Sequence, residues 1–372
     1  MAAYDITQLD VLENTTPSNV FNSVVKIDDT HFIVAYGGDD NDGFIKTFSI
    51  DGSYNITEIN SLEHDTVRGT DTSLVKIDST HFILAYRGDD DGFIKTFSID
   101  GSYAITQEDS LAHDTSTGRY NSLVKIDSTH FMLAYTGVDF DGFIKTFSID
   151  GSYNITQEDS LEHDTTFAVD NSLVQIDSTH FMLAYAGVSG FNSDGFIKTF
   201  SIDGSYNITQ INSLTHDTTN GDNNSLVKID DTHFILAYTG DDNDGFIKTF
   251  SIDGSYDITQ VNSLEHDTTN GEWNSLVQID STHYALAYAG NGDDGFIKTF
   301  SIDGSYDITE IDSVEHDTVR GTYNSLMLID SNHLVLAYSG EITSGFEGDG
   351  FVKTFNVAPI ITNNSNFLAF MQ

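Results

Sequence analysis

Seven copies of one unit constrain this 372-residue chain more than any other feature. The phrase Thr-His-Phe, or a variant of it, centres on His31, His81, His130, His180, His233, His283 and His333, at spacings of 50, 49, 50, 53, 50 and 50 residues. A second anchor, Ile-Thr-Gln or Ile-Thr-Glu, begins at Ile6, Ile56, Ile105, Ile155, Ile208, Ile258 and Ile308. Each copy lies 25 residues before the next anchor histidine, so all length variation falls in the other half of the unit. Length alone would suggest two or three domains. A fixed period overrides that prior, because each repeat is one supersecondary unit that buries its apolar face on its neighbours.

Each unit holds four strand-like runs. In the fifth they are Asn224–Asp230, His233–Gly240, Gly245–Ile252 and Tyr256–Leu264, lettered A to D in chain order. β-Branched and aromatic residues dominate, and no 3.6-residue period appears. The run Phe234-Ile235-Leu236-Ala237-Tyr238 is apolar on both alternating faces, as in a sheet covered on both sides. Asp-Ser-Thr, Asp-Gly and Asp-Gly-Ser connectors supply turn chemistry. Seven such units predict an all-β, seven-bladed β-propeller of four antiparallel strands per blade. The phase of the repeat predicts closure. The chain begins on a fourth strand, Tyr4–Glu13, and ends its last unit on a third, Gly350–Val357. The first strand should therefore complete the last blade and hide two strand edges. Residues 1–357 form the propeller in this reading. Residues 358–372 form a tail whose Phe367, Leu368 and Phe370 are expected to dock on a partner or on the ring.

Over residues 4–357 the chain resembles tandem-repeat propellers: WD40 scaffolds, integrin-type heads and propeller lectins. The resemblance is architectural. The only Trp, Trp273, is followed by Asn274, so the Trp-Asp dipeptide is absent. The best matches to an integrin-type Ca²⁺ loop, Gly38–Gly43 and Gly240–Gly245, carry Gly at the first ligand position. Such resemblance implies a binding platform more often than an enzyme, and fold does not settle function.

Charge then excludes partners. The chain carries 58 acidic and 15 basic residues, a formal charge of −43. Nucleic acid and anionic membrane surfaces need clustered Lys and Arg, so neither is expected as a partner. Zero Cys excludes disulfides, Cys-ligated metal and a Cys nucleophile. No run approaches 18 apolar residues, and Met1-Ala-Ala-Tyr lacks the form of a signal peptide. Much of the charge is repetition, since 26 of the 58 acidic residues fall at four template positions in turns and crossovers.

The units differ mainly on one face. The B–C loops and the D–A crossovers lie together there, and the crossovers read VRGTDT, STGRYN, TFAVDN, TNGDNN, TNGEWN and VRGTYN. All four arginines, Arg68, Arg87, Arg119 and Arg320, fall on this face, whereas all eleven lysines sit in strands A or C. Aromatics outside the template also collect there: Phe21, Tyr120, Phe140, Phe167, Phe191, Trp273, Tyr323 and Phe346. Rings beside Asn, Asp and Arg are typical of recognition surfaces. The competing reading is that they fold back to cover the blade tops.

The remaining chemistry is repetitive. Six histidines stand in His-Asp-Thr, at His64, His113, His163, His216, His266 and His316. Six near-identical copies argue against one general base. The WD40 resemblance implies a bracing hydrogen bond for each, and a switch near pH 6 is an open alternative. Seven Asp end strand A, from Asp28 to Asp330; they cap the next turn or form a carboxylate ring for a hard cation such as Ca²⁺. No phosphate loop, metal-ligand spacing or nucleophile elbow is present. Glu272, Glu341 and Glu347 are the unique loop carboxylates for an enzymatic reading. The expected function is a non-enzymatic, lectin-like binding propeller that meets a glycan or a protein surface and needs no cofactor. Its candidate ligand-binding residues are the loop aromatics and the four arginines. The alternatives are a structural or adhesive module of a virion, fibre or cell surface, outside the cell or on a virion, and a carboxylate-dependent glycan-active enzyme.

Overall fold

The computed structural model describes residues 4–15, 19–189, 192–340 and 348–357. The tail from 358 onward and its expected docking lie outside the described residues, as do Phe191, Phe346, Glu341 and Glu347. Seven four-stranded antiparallel sheets stand in a ring. The fifth blade runs Asp222–Lys228, His233–Thr239, Gly245–Ile252 and Ile258–Asp267, here called strands A to D from the axis outward. In the last blade the N-terminal strand Thr7–Thr15 takes the D position. It pairs antiparallel with Gly350–Asn356 in the register Thr7↔Asn356, Val11↔Lys353 and Thr15↔Gly350. The molecule is a seven-bladed β-propeller closed by its first strand, as the repeat phase requires.

The two-sided apolar run of strand B explains the stacking. Phe234, Leu236 and Tyr238 pack with Ile176, Met182, Ala184 and Ile197 of the blade before. Ile235 and Ala237 pack with Leu276, Tyr284, Leu286 and Tyr288 of the blade after. Each sheet thus offers large side chains to one neighbour and smaller ones to the other, which lets twisted sheets interdigitate at interior density. Strand D is outermost and alternates, so Ile258 is buried while Thr259, Gln260 and Val261 are exposed.

The polar template residues tie blade to blade. All eleven lysines donate to a backbone carbonyl of the preceding blade. From strand C, Lys95, Lys198 and Lys248 reach the carbonyls of His64, His163 and His216 at 2.6, 2.6 and 2.7 Å. Lys145, Lys298 and Lys353 reach those of His113, His266 and His316, and Lys46 that of Asn14. From strand A, Lys26, Lys76, Lys125 and Lys228 reach Ile329, Ile27, Ile77 and Ile176.

The face opposite the variable loops carries a second belt. Asp127 Oδ1 accepts from the amides of Thr129 and His130 at 2.8 and 3.0 Å, and its other oxygen accepts from the next blade's Tyr206 hydroxyl at 2.8 Å. Tyr206 stacks on His130 at 3.6 Å between ring centres. The equivalent pairs are Tyr103–Asp28, Tyr153–Asp78, Tyr256–Asp177, Tyr306–Asp230, Tyr4–Asp280 and Tyr54–Asp330. Tyr4–Asp280 thereby pins the closing strand. Burial alone would raise these carboxyls, but the amide, imidazole and phenol donors outweigh it and hold Asp28, Asp127, Asp177 and Asp280 at about 2. The strand-A aspartates are therefore turn and latch residues. Among the described residues no group of three or more His, Asp or Glu is placed to hold a metal ion.

The His-Asp-Thr units correct one expectation. It is the aspartate that makes the bracing hydrogen bonds. Asp217 accepts from the Tyr238 hydroxyl at 2.8 Å and from the amide of Thr219 at 3.0 Å. The histidine packs instead: His216 lies edge-on to Tyr238 at 4.8 Å, and neither of its ring nitrogens has a hydrogen-bond partner. Burial, seconded by the neighbouring lysine, pushes His64, His113, His163, His216 and His266 down to about 3. A group displaced so far is not a switch near pH 6.

Candidate functional site

The axial end of the variable face is built by the first residues of strand A. In every blade the A–B pairing slips by one residue there, as between Arg119↔Thr136 and Ser122↔Ala134, the signature of a β-bulge. The bulged residue has a left-handed backbone in all seven blades: Phe21 (φ 55°), Asp71 (53°), Tyr120 (49°), Asp170 (52°), Asn223 (52°), Trp273 (55°) and Tyr323 (51°). That conformation is uncommon for non-glycine residues and a strained one for bulky side chains. No copy uses glycine.

Two tiers below the bulge hold it in place. The residue after it is Asn22, Thr72, Asn121, Asn171, Asn224, Asn274 or Asn324. Each side chain donates to the carbonyl of the preceding blade's bulged residue, for example Asn121 Nδ2 to Asp71 O at 3.0 Å. The same bond joins Asn22 to Tyr323, Asn171 to Tyr120, Asn224 to Asp170, Asn274 to Asn223 and Asn324 to Trp273, with Thr72 on Phe21. The next tier is serine: Ser122 Oγ accepts from Leu173 N at 2.9 Å, and the pattern repeats around the ring. The serine tier is uniform in all seven blades and the asparagine tier in six. The bulge above them carries five different residue types on one backbone.

The seven bulged residues line a mouth of about 170 Å³. It has two unlike arcs. Phe21, Tyr323 and Trp273, from three consecutive blades, form an aromatic wall with ring centres 4.7 Å (Phe21–Tyr323) and 3.9 Å (Trp273–Tyr323) apart. Asp71, Tyr120, Asp170 and Asn223 form the polar wall. Asp71 Oδ1 accepts from Tyr120 N at 3.1 Å, Asp170 Oδ2 from Asn223 N at 2.8 Å, and Asn223 Oδ1 from Trp273 N at 3.2 Å. Burial, with Asp222 and Asp71 nearby, outweighs the Asn223 amide and pushes the Asp170 carboxyl up to about 7. Burial also raises Asp71, against the pull of the Tyr120 amide and of Arg87 and Arg119.

A second cavity, of about 380 Å³, lies outside the mouth between the second and third blades. Arg87, Arg119, Thr117 and Phe140 line it, with Asp89, Asp90 and Asp139. Arg119 sits over the Phe140 ring at 5.7 Å, and Phe140 stacks on Phe167 at 5.4 Å.

The sequence candidates thus divide by radius. Tyr120, Trp273 and Tyr323 reach the mouth, with Phe21 beside them. Phe140 and Phe167 pair in the outer groove near Arg87 and Arg119. Arg320 stands apart on the crossover into the last blade, where its Nε donates to Thr322 Oγ1 at 3.1 Å. Glu272 sits at the start of the sixth strand A, opposite Ala289. Asp71, Asp170 and Asn223 were missed. Their signal was the next-to-last letter of each crossover, which reads D, Y, D, N, W, Y.

No protein-family model and no curated protein matches the sequence. Similar solved structures include a Lactobacillus plantarum protein (TM-score 0.60, 14% identity, 82% of this chain and 87% of that one). Also similar is the Pseudomonas aeruginosa periplasmic gluconolactonase PpgL (0.59, 13%, 92% and 99%). Sqt1 from Chaetomium thermophilum is a third (0.58, 13%, 95% and 90%). At these identities the likeness is one of fold.

Proposed function

We propose that the protein is a binding propeller that takes a sugar ring at its axial mouth. Trp273, Tyr323 and Phe21 offer an apolar platform to one face of the ring. Asp71, Asp170, Asn223 and the Tyr120 hydroxyl stand opposite as partners for its hydroxyls. The observation that carries this reading is that, among the stacked tiers at the start of strand A, divergence falls on the bulged one. Seven copies share the backbone, the serine belt and nearly all of the asparagine belt, yet at the strained bulge they differ in chemistry. Strain retained at every copy is what a site that must aim side chains would keep. The mouth is smaller than the clefts that hold drug-sized ligands, which suits a single ring or chain end.

A glycan array followed by calorimetry tests the reading. The expected result is binding of at least one glycan, weakened about 10- to 100-fold in Trp273→Ala, as for loss of an aromatic anchor. Phe167→Ala, outside the mouth, should leave binding of an uncharged glycan unchanged. A folded protein that binds no glycan would sink the proposal.

One observation favours a second reading. A carboxyl at about 7, as for Asp170, suits a general acid or base. Turnover of a glycoside or ester by the wild type and its loss in Asp170→Asn would turn the binding site into an active site.

A further inference from the structure

We propose that the groove between the second and third blades is an oxyanion site, and that it binds a carboxylate or sulfate group on the saccharide held at the mouth. The ligand would then be an acidic sugar. This inference rests on the mouth reading for the body of the ligand and on separate residues for its charge.

The arginines are the starting point. All eleven lysines are consumed in blade-to-blade bonds, so the four arginines are the other cationic side chains of a chain carrying 58 carboxylates. Three of the four stand together. Arg68 lies in the crossover two residues before Thr70, which pairs with Arg87 across the A–B ladder. Arg119 opens strand A of the next blade and lines the groove with Arg87. Arg87 feels both Arg68 and Arg119 as like charges. Among the described residues none of the three makes an ion pair; the ion pairs of the surrounding blades use Lys or His. Three guanidiniums clustered with no direct carboxylate contact are a costly arrangement in so acidic a molecule, where Asp71 acts on them only at longer range.

Unsatisfied donors point the same way. Arg68 Nε, Arg119 Nε and Thr117 Oγ1 are all buried and have no hydrogen-bond partner among the described residues. Arg119 is held by the Phe140 ring, which Phe167 backs. Arg87 and Arg119 line the groove, and a planar guanidinium matches the two coplanar oxygens of a carboxylate or one face of a sulfate. Asp89, Asp90 and Asp139 also border the groove and are exposed. They would repel a densely charged chain, so the site suits one compact anion on an otherwise neutral body. Asp71 links the two cavities: its carboxylate caps the Tyr120 amide in the mouth and lies within Coulombic reach of Arg87 and Arg119.

The test uses the full chain and three matched probes: a neutral oligogalactoside, an oligogalacturonide and a sulfated oligogalactoside, with inorganic sulfate as a fourth. Calorimetry is run on wild type, Arg87→Gln/Arg119→Gln and Trp273→Ala, each confirmed folded by circular dichroism. The expected result is at least 10-fold tighter binding of one acidic probe than of the neutral one. The double arginine variant should lose that preference and keep the neutral affinity. The preferred probe identifies carboxylate or sulfate. If acidic and neutral probes bind alike, or the double variant keeps the preference, the anion site is overturned while the mouth reading stands. If the arginine variant loses acidic binding and Trp273→Ala changes nothing, the anion site stands and the mouth reading fails. If no saccharide binds and inorganic sulfate gives no arginine-dependent heat, the anion site is overturned.

Discussion

Stability should fall steeply as the pH drops from 6.5 to 5, before any latch carboxylate is protonated. The six His-Asp-Thr histidines are buried against Tyr and Phe rings. Burial holds five of them at about 3 and His316 well below its ordinary value. In the unfolded chain each titrates near 6.5. Below that value the unfolded state takes up protons that the folded state refuses, so stability is present above 6.5 and is lost as pH falls toward 3. At pH 5 each histidine costs about 2 kcal/mol, on the order of 12 kcal/mol for the set. Asp170 works in the opposite direction. Its raised pKa penalises folding above its unfolded value, so acidification returns roughly 2–3 kcal/mol between pH 7 and 5. Asp71, also raised by burial, acts in the same sense as Asp170, yet the histidine loss alone is comparable to the whole stability of an ordinary domain. Urea unfolding followed by circular dichroism at pH 7, 6 and 5 should show it, with aspartate latches adding a further loss below pH 4. His266→Asn should flatten the pH dependence by about one sixth, because Asn14 already fills the equivalent place in the last blade. Equal stability at pH 7 and 5 would contradict the account.

The second large effect concerns a glycine. Gly43, Gly92, Gly142, Gly245, Gly295 and Gly350 open strand C in six blades, and Gly195 takes the same place inside the longer Asn192–Ile202 strand of the fourth. A Cβ on Gly245 would lie 2.5 Å from His266 Cε1 and 3.1 Å from Gly271 Cα. The ring is clamped by Tyr288 and Phe300, so it cannot yield. Gly245→Ala should therefore cost about 3 kcal/mol of unfolding free energy, in the range of overpacked cores. Gly254→Ala is the control, because a Cβ there meets nothing within 4 Å. Equal unfolding midpoints for the two variants would show that the histidine layer is loose.

These two glycines show where the sequence stops being legible. Both follow Asp wherever they recur, in seven units and in six, yet one sits beneath a buried ring and the other on an open turn. Composition and period carry no depth. The number of blades, the strand order and the closing strand were legible because they follow from phase, and phase survives in letters. The site was only partly legible. Tyr120, Trp273 and Tyr323 stand out as aromatics in otherwise small, polar crossovers, but so do Phe140 and Phe167, and nothing in the letters gives distance from the axis. Radius is set by the left-handed bulge at the start of strand A. That bulge also brings together Phe21 and Tyr323, 302 positions apart in the chain. The histidines misled for a related reason. A His-Asp pair suggests a hydrogen-bonded brace, and only the packed structure shows the aspartate bonding while the imidazole acts as an apolar slab.

The central claim is that the ring of bulged residues is where the ligand sits. The chain offers a direct probe, since its single tryptophan, Trp273, belongs to that ring and touches Tyr323 at 3.9 Å. The decisive measurement is intrinsic fluorescence during titration with the glycan that binds best in calorimetry. A saturable change in Trp273 emission, with the calorimetric midpoint, is the predicted result. Calorimetric saturation with unchanged Trp273 emission would place the ligand elsewhere and contradict the account.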